Sequence, residues 1–345
     1  MIVSPMRVHF GGPDRPDGAL AAVLSSAIER VPAGGEIHWV AYYFGNLELA
    51  KSLLSASRRG VRVFLDIDAH PRRAEVNAEV LRLLGGPKGV LSGLRPLAHV
   101  LPGHVHEKIY FFSHPRPAVY VGSYNPSRNL SDSEDLLDDI GDQDRGHNYL
   151  VEITDSAAVS FLHSHLQAMH ASPHGVFERY GAHLNATFDS PDLNIYFFPR
   201  KRSNVHIQFL QRTRFERIRI AASHFRDSSI ARLLATLSVN GTSVEVLAHD
   251  TFRRVPVGIE RILRTSGVNF RRYRHPEKLP MHCKFMLLEG KAERRVLFGS
   301  LNLTRTSRWL NHEVLLCSSN QDLFAALDAR WTYVFAEAAK YDGLP

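Results

Sequence analysis

The sequence contains two copies of one short pattern of residues that could do chemistry. In the first copy, His106-Glu107-Lys108 is followed by Gly122-Ser123-Tyr124-Asn125. In the second, His282-Cys283-Lys284 is followed by Gly299-Ser300-Leu301-Asn302. An imidazole can act as a nucleophile, an acid or a base, whereas ammonium and amide groups can hold anionic oxygens. Such a set suits displacement at a phosphodiester, where negative charge must be stabilised while bonds change.

The repetition of the pattern carries more information than either copy. A single His-x-Lys arises readily by chance among 19 histidines, and alone it would indicate a surface histidine near a surface lysine. Here each copy leads into an apolar run typical of a β-strand, residues 109–112 and 285–288, and is followed by G-S-x-N at nearly the same offset. The sequence therefore predicts an enzyme.

The two copies belong to a longer internal repeat. Residues 37–44, 49–51 and 60–63 align without a gap with residues 218–225, 230–232 and 241–244. Each half is predicted to contain a strand, a helix and a strand, then the motif strand, the G-S-x-N turn, another strand and a closing helix. Alternating strands and helices predict an α/β fold with a largely buried sheet.

These motifs resemble the phospholipase D superfamily, whose signature is H-x-K-x4-D followed by G-S-x-N. The resemblance extends over nearly the whole chain. It implies two pseudo-twofold related halves, each a mixed β-sheet flanked by helices, with one active site at their interface, so that a monomer is sufficient for the site. It also implies catalytic roles for six residues and supporting roles for two serines: His106, Lys108, Asn125, His282, Lys284 and Asn302, with Ser123 and Ser300.

The chain departs from this signature at the acidic position, where Ser113 and Glu289 stand in place of aspartate. A carboxylate near an imidazole favours its protonated form, and the second half offers two candidates, Glu289 and Glu313. The matching segment of the first half, His147-Asn148-Tyr149-Leu150, has none. We therefore hypothesise that His106 is the nucleophile, forming a covalent phosphohistidine, and that His282 is the general acid.

A catalytic metal is the alternative to consider, since histidine is the commonest metal ligand. Each motif histidine instead has a lysine ammonium beside it, where a metal enzyme would place further ligands. The sequence thus predicts catalysis without a metal or other cofactor. His104, two residues before His106, is interpreted as a polar residue at the mouth of the strand.

Proline and glycine punctuate residues 171–194, which predicts halves spanning residues 1–175 and 190–345. The aromatic run 195–198, followed by Arg200-Lys201-Arg202, could form a membrane-inserting edge or a base-stacking platform. Because the run occupies the place of the first strand in the internal repeat, we interpret it as the opening core strand of the second half. Residues 19–24 are interpreted as the first helix and not as a signal segment, because no basic region precedes them.

No run approaches the roughly 20 apolar residues that a membrane span requires. We expect a cytoplasmic protein, in which Cys283 and Cys317 are buried free thiols and not a disulfide.

The net charge of +7 and the pI near 9.5 weakly indicate a polyanionic partner. Arginines crowd the second half and could follow a phosphate backbone or simply form solvated faces: Arg212, Arg214, Arg217, Arg219, Arg253, Arg254, Arg271, Arg272 and Arg274. An acidic insertion after the first G-S-x-N is either a mobile solvated loop or a gate that competes with polyanions. The gate is assigned to Asp135, Asp138 and Asp139 within the acidic set Asp132, Glu134, Asp135, Asp138, Asp139, Asp142 and Asp144.

Three classes of function remain: a metal-independent nuclease on DNA or RNA, a phospholipase D or phosphatidyltransferase acting on phospholipid headgroups at a membrane surface, and an inactive binding module. The intact motifs disfavour the binding module. Basic character favours nucleic acid slightly. A wide basic trough at the site would favour nucleic acid, and exposed apolar residues around it would favour lipid.

Overall fold

The computed structural model describes residues 5–86, 91–98, 103–127, 139–172, 178–212 and 215–340. The chain forms two compact units, Met1–Ala186 (the first unit) and Thr187–Pro345 (the second unit). Each unit contains one mixed β-sheet flanked by helices, which confirms the predicted α/β fold class.

In the first unit the strand order is β1-β7-β6-β5-β2-β3-β4, with β2, β3 and β4 parallel and the other pairings antiparallel. The elements are β1 (Met6–Gly11), α1 (Ala19–Glu29), β2 (Glu36–Ala41), α2 (Leu47–Arg58), β3 (Arg62–Asp68), α3 (Glu75–Gly85), β4 (Gly93–Leu97), β5 (Ile109–Phe112), β6 (Ala118–Gly122), β7 (Asn148–Ile153), α4 (Ser156–Ala171) and a 3-10 turn (Glu178–Tyr180).

In the second unit the order is β12-β11-β10-β13-β14-β15-β9-β8, with β10, β11 and β12 parallel. The elements are β8 (Thr187–Asp189), β9 (Leu193–Phe198), α5 (Val205–Arg212), β10 (Arg217–Ala222), α6 (Ser228–Val239), β11 (Ser243–His249), α7 (Val257–Arg264), β12 (Asn269–Tyr273), β13 (Lys284–Glu289), β14 (Arg294–Gly299), α8 (Arg305–Trp309), β15 (Glu313–Ser318) and α9 (Gln321–Lys340).

The internal repeat appears as matched elements. The segment β2-α2-β3 has the same element lengths as β10-α6-β11, and each element begins the same number of residues after its counterpart. The turns that close the two helices use Gly60 and Gly241, at φ 91° and 93°. Only glycine adopts this left-handed backbone region without steric cost. The predicted gapless alignment therefore holds for local structure as well as for sequence.

Strand alternation divides each sheet into two faces. In the first unit Ile37, Trp39 and Ala41 point into a core that α1, α2 and α3 cover. In the second unit Ile218 and Ile220 occupy the same positions of β10 and enter a corresponding core. Helix α4 packs against β2, β3 and β6, and α9 packs against β12, β13 and β14. The intervening residue of β2, His38, belongs to the face opposite the first core.

Several predictions about single segments can be compared with these elements. Residues 195–198 form the core strand β9, in which Phe197 and Phe198 are buried, so the membrane-edge and stacking alternatives are wrong. Residues 19–24 lie in helix α1, as predicted. Cys283 and Cys317 are buried free thiols, and burial raises the pKa of each to about 11. Among the described residues, no helix is both long and apolar enough to cross a bilayer.

Candidate functional site

Both His-x-Lys motifs stand at equivalent places in their sheets. The motif of the first unit immediately precedes β5, which runs antiparallel to β2 with Ile109 opposite Val40. In the second unit Lys284 begins β13 opposite Ala222, the last residue of β10. Each motif thus lies at the carboxyl edge of the parallel strands, where ligands of open α/β sheets commonly bind. We call His106, Lys108, Ser123 and Asn125 the first motif set, and His282, Lys284, Ser300 and Asn302 the second.

Lys108 is fully buried, and its ammonium is held by its own motif. Its Nζ donates to the His106 carbonyl oxygen at 2.7 Å and lies 5.5 Å from the centre of the Tyr42 ring. The Tyr42 and His106 rings are 5.0 Å apart. The lysine and histidine of the first motif set are therefore packed around one aromatic side chain.

The second motif set repeats this arrangement. Lys284 Nζ donates to the His282 carbonyl oxygen at the same distance, 2.7 Å, and lies 3.1 Å from His282 Nε2. Because an ammonium can only donate, Nε2 accepts in this contact. Ser223 takes the place of Tyr42 in the repeat, so the second motif set lacks the aromatic side chain of the first.

The two asparagines share an unusual feature. Asn125 and Asn302 are buried, and the Oδ1 atom of each has no hydrogen-bond partner within the described part of the chain. A buried acceptor without a partner costs about 1–3 kcal/mol unless a ligand or water satisfies it. An unsatisfied amide at the same position of both motif sets is suited to a polar ligand.

The two serines fix the turns on which the asparagines stand. Ser123 Oγ donates to Asn148 Oδ1 at 3.0 Å and accepts from the Tyr149 N–H at 3.2 Å. Ser300 Oγ donates to Glu313 Oε2 at 2.6 Å and accepts from the Val314 N–H at 3.1 Å. The backbone bond is the same in both, but the acceptor is a neutral amide in the first unit and a carboxylate in the second.

The two predicted supporting glutamates occupy different places. Glu313 is fully buried beside Ser300, and its second oxygen accepts from Asn311 Nδ2 at 3.3 Å. Glu289 lies at the opposite end of β13 from Lys284, in ion pairs with Arg219 and Arg294. The structure thus brings Glu313 to the second motif set and holds Glu289 in an ion-pair network at the other edge of the sheet.

Sequence reasoning missed Asp68, the last residue of β3. Its Oδ2 accepts from the Val105 N–H at 2.7 Å, its Oδ1 accepts from the His70 N–H at 2.9 Å, and His104 Nδ1 lies 3.5 Å from Oδ2. Asp68 therefore anchors the backbone that carries His106. Its position at the carboxyl end of a predicted parallel strand was the available signal.

In the second unit His249 takes the place of Asp68, and burial holds its pKa well below the usual range. A small cavity of about 20 Å³ lies beside the motif, lined by His206, His224, Lys284 and Asn302 among apolar side chains. His206 is buried, both of its ring nitrogens lack a hydrogen-bond partner among the described residues, and burial lowers its pKa to about 3. The polar end of this cavity thus combines a neutral His206 with one lysine and one asparagine.

The described part of the acidic insertion is built into the first unit. Asp139 pairs with Arg72 at 2.7 Å, and Asp144 accepts the hydroxyl hydrogen bond of Tyr124. Asp142 Oδ1 accepts two backbone N–H bonds, at 3.1 Å each. Asp135 and Asp138, two of the three gate residues, lie outside the described residues. A mobile loop is therefore the wrong description of residues 139–144.

Most of the arginines expected to follow a phosphate backbone have partners inside the second unit. Arg217 pairs with Glu245, Arg272 with Glu260, Arg274 with Asp250, and Arg219 with Asp328 and Glu289. Arg271 stacks on Phe335 and donates to its carbonyl oxygen. The side chains of Arg212 and Arg214 lie outside the described residues. The arginine clusters thus serve the fold, which weakens the argument for nucleic acid.

Part of the chain matches a known protein family. Residues 206–333 match the family model described as cardiolipin synthase, PLD-like domain. The phosphatidylserine synthase from Haemophilus influenzae Rd KW20 is similar with a TM-score of 0.68 and 15% identity, over 96% of this chain and 86% of that one. Comparison with curated proteins gives no match.

Polyphosphate kinase from Porphyromonas gingivalis is also similar, with a TM-score of 0.61 and 12% identity over 95% of this chain. The match covers 50% of that kinase, so this chain spans half of its length. At these identities the similarity concerns the fold.

Proposed function

We propose that this chain is a phospholipase D superfamily enzyme that cleaves or transfers phosphodiesters with its two motif sets, without a metal. The observation that carries the proposal is the duplicated clamp. In both units the motif lysine is buried and donates to the carbonyl of its own histidine at 2.7 Å, beside an asparagine whose buried Oδ1 has no partner in the described structure. The lysine ammonium and the Nδ2 amide group of each asparagine are donors that can stabilise charge on phosphoryl oxygens. The unpaired Oδ1 atoms are acceptors and suit the hydroxyl hydrogen of an incoming water or alcohol.

In the proposed reaction, a neutral His106 nitrogen attacks phosphorus as the bond to the leaving oxygen breaks. His282 gives its proton to that oxygen, which leaves a covalent phosphohistidine. His282 then removes a proton from water or an alcohol, whose oxygen attacks phosphorus and breaks the phosphorus–nitrogen bond. Lys108, Lys284 and the two asparagines hold the non-bridging oxygens throughout.

The assignment of His282 as the acid depends on the carboxylates. Lys284 Nζ lies 3.1 Å from His282 Nε2, so this contact must open before that nitrogen can carry the proton. Glu313 and Asp68 each accept hydrogen bonds on both oxygens. Glu313 is fully buried next to Ser300, where the first unit has the neutral Asn148. The proposal therefore rests on this carboxylate in place of a neutral amide, which favours a protonated His282.

The test is hydrolysis in EDTA by wild type, His106→Ala and His282→Ala, with His183→Ala as an exposed control in the first unit. We expect each motif variant to lose at least about 10³-fold in kcat while the control keeps wild-type activity. Labelling quenched in alkali, where the phosphorus–nitrogen bond is stable, should give phosphohistidine in His282→Ala and none in His106→Ala. Label retained without His106 would reverse the assignment, and full activity in both motif variants would refute the proposed chemistry.

For the substrate we propose a phospholipid headgroup at a membrane surface. Phe252, in the loop after β11, is 58% exposed, and Val257, the first residue of α7, is 47% exposed. That loop lies at the motif edge of its sheet, because the Phe225 N–H donates to the Arg254 carbonyl and Phe225 bridges to Leu303, next to Asn302. Exposed apolar and basic side chains on one loop suit an interface between water and lipid.

Headgroup release from vesicles of labelled phospholipid should show whether Phe252 contacts lipid in a way that another exposed apolar residue does not. Phe252→Ser should reduce headgroup release from vesicles by about 5-fold or more, as loss of buried apolar area predicts. It should leave a short soluble phosphodiester unaffected. Val239→Ser is the matched control, since Val239 is 73% exposed at the end of α6. Equal effects of the two substitutions would contradict a lipid-facing edge.

A nuclease on DNA or RNA is the second candidate, supported by the net charge of +7. Single-stranded DNA and RNA belong in the same assay, at two salt concentrations, because backbone binding weakens steeply with salt. Histidine-dependent cutting of nucleic acid with no headgroup release would replace the lipid proposal.

A further inference from the structure

The first unit carries a second group of chemistry-bearing side chains, on the face of its sheet opposite the core that α1, α2 and α3 cover. His38 and Asp66 project from β2 and β3 toward α4, which contributes His163 and His170. These two helix positions are seven residues apart and therefore lie on one face of α4. None of these residues belongs to the motif sets.

The contacts within this histidine cluster (Glu36, His38, Asp66, His163 and His170) are short. His38 Nε2 lies 3.1 Å from one oxygen of Asp66, and His170 Nδ1 lies 2.9 Å from the other. The His38 and His170 rings are perpendicular, with centres 5.5 Å apart. His163 Nε2 lies 2.5 Å from a Glu36 oxygen, and its ring stacks on Phe111.

These groups have the spacing that a metal ion requires. In two overlapping triads, Glu36-His38-His163 and His38-Asp66-His170, all donor atoms lie within 4.8 Å of one another. Zinc bonds of about 2.0–2.2 Å in a tetrahedral site place neighbouring donors about 3.3–3.6 Å apart. Small side-chain rotations would bring either triad to this spacing.

Asp66 is a buried carboxylate held by histidines. Its side chain is 0% exposed, and the partners it shows in the described structure are His38 and His170. A buried carboxylate is unfavourable unless an opposite charge accompanies it, and a metal ion bound through these imidazoles would supply that charge.

In the second unit a permanently charged side chain occupies the position that corresponds to His38. Arg219 occupies in β10 the position of His38 in β2, and it is buried in ion pairs with Asp328 and Glu289. At the equivalent place the first unit has three imidazoles with Glu36 and Asp66, and Glu36 also pairs with Arg62 at 3.0 Å. Asp66 shows imidazole partners in the described structure, so it is the carboxylate that a divalent cation would serve.

We propose that the first unit binds one divalent transition-metal ion of the zinc type, with His38, Asp66 and His170 as ligands and His163 with Glu36 beside them. Imidazole and carboxylate donors suit zinc and related ions better than calcium or magnesium, which prefer oxygen ligands. The ion would clamp α4 to β2 and β3, far along the chain from either motif, and would take no part in phosphodiester chemistry.

The test uses the full chain, freed of metal by chelator and titrated with Zn²⁺ by calorimetry. We expect one ion per chain, with affinity reduced at least about tenfold in His170→Gln, whose side chain is 26% exposed and thus tolerant of change. His183→Gln, an exposed control in the same unit, should bind as wild type does. Binding should also persist in His106→Ala, which places the ion outside the first motif set.

Cobalt(II) provides a readout that does not depend on affinity. A four-coordinate site with imidazole ligands should give visible absorption bands in wild type that are lost or altered in His170→Gln. Circular dichroism would establish that the variant is folded, and His170→Asn would serve in its place if it is not. No stoichiometric binding by wild type, or equal binding by wild type and the folded variant, would overturn the proposal and leave the cluster as histidine–carboxylate pairs alone.

Discussion

Ser123 and Ser300 perform the same backbone task with acceptors of different charge. Each accepts a backbone N–H bond and donates its own hydrogen, in the first unit to Asn148 and in the second to Glu313. Hydrogen bonds to charged groups contribute about 1.5–3 kcal/mol, against about 0.5–1.5 kcal/mol for neutral pairs. The chain therefore contains its own matched comparison of the two bond types.

The first prediction follows directly. Ser300→Ala should lower the free energy of unfolding by about 1 kcal/mol more than Ser123→Ala, because it leaves a buried carboxylate oxygen without its donor. Urea titrations of the two variants and wild type would measure the difference. Equal midpoints would show that Glu313 carries no charge in the folded protein.

A second residue-scale prediction concerns Asp144. Burial raises its pKa to about 6. A carboxyl whose folded pKa exceeds its unfolded value stabilises the fold at low pH, and that contribution is lost as pH rises from about 4 through 6. Asp144→Asn retains an acceptor for the Tyr124 hydroxyl and has no charge to bury. The variant should be more stable than wild type by about 1–2 kcal/mol at pH 8 and equal to it near pH 4.

Urea unfolding at pH 4, 6 and 8 would follow this dependence. A difference that does not change with pH would mean that Asp144 titrates normally in the folded chain. Asp17→Asn offers a comparison, since the Asp17 side chain is 79% exposed.

Sequence reasoning found the motif side chains but not all of their supports. The spacing of His106, Lys108 and Asn125 is short-range information, so it can be read from the chain. Asp68 and Tyr42 reach the same motif from other strands, and only strand pairing brings them there. The supporting role expected for Glu289 relied on a spacing borrowed from the family signature, whereas a β-strand of this length carries that residue to the opposite edge of the sheet.

At the scale of elements, the repeat predicted the strands and helices well because hydrophobic periodicity is local. It could not predict which helix covers the second face of each sheet. Helix α4 does so with polar residues, including His163 and His170, whereas α9 contributes Asp328 and Trp331. Neither composition nor periodicity distinguishes such a polar contact face from a solvated one.

The acidic insertion gives the prediction at this scale. Asp139 pairs with Arg72, whose backbone N–H donates to the Tyr42 hydroxyl at 2.8 Å, and Tyr42 contacts His106. If the insertion acts as a gate, Asp139→Asn should release Arg72 for a polyanion. Turnover of a long polyanion should then rise about 2–5-fold, in keeping with a surface ion pair worth up to about 1 kcal/mol.

Steady-state kinetics on a long single-stranded nucleic acid and a short soluble phosphodiester would check this. The short substrate should be unaffected, and so should either substrate with Glu29→Gln, an exposed carboxylate on α1. Unchanged or slower turnover of the long substrate would indicate that the insertion has only a structural role.

At the scale of the whole molecule, the described chain has two main hydrophobic cores, one in each unit. Leu53 on α2 and Leu234 on α6 are equivalent in the repeat, and both are fully buried, each in the core of its own unit. Truncation of a buried leucine to alanine costs about 2–5 kcal/mol.

Leu53→Ala and Leu234→Ala should each be destabilising within this range, and the double variant should show the sum of the two effects to within about 0.5 kcal/mol. Separate cores share no cavity and so give no reason for coupling. Denaturant unfolding of the four proteins, followed by circular dichroism, would give the coupling energy. A clear departure from additivity would mean that the two sites are energetically coupled.

The equal lengths of β2-α2-β3 and β10-α6-β11 also have a consequence for protein engineering. Residues 36–68 and 217–249 are natural segments to exchange, because their elements and the loops between those elements have equal lengths. Their partners differ, since His38 and Asp66 contact α4 whereas Arg219 pairs with Asp328 of α9. An exchange would therefore keep the backbone in register and separate the effect of the strand side chains from that of the helix that covers them.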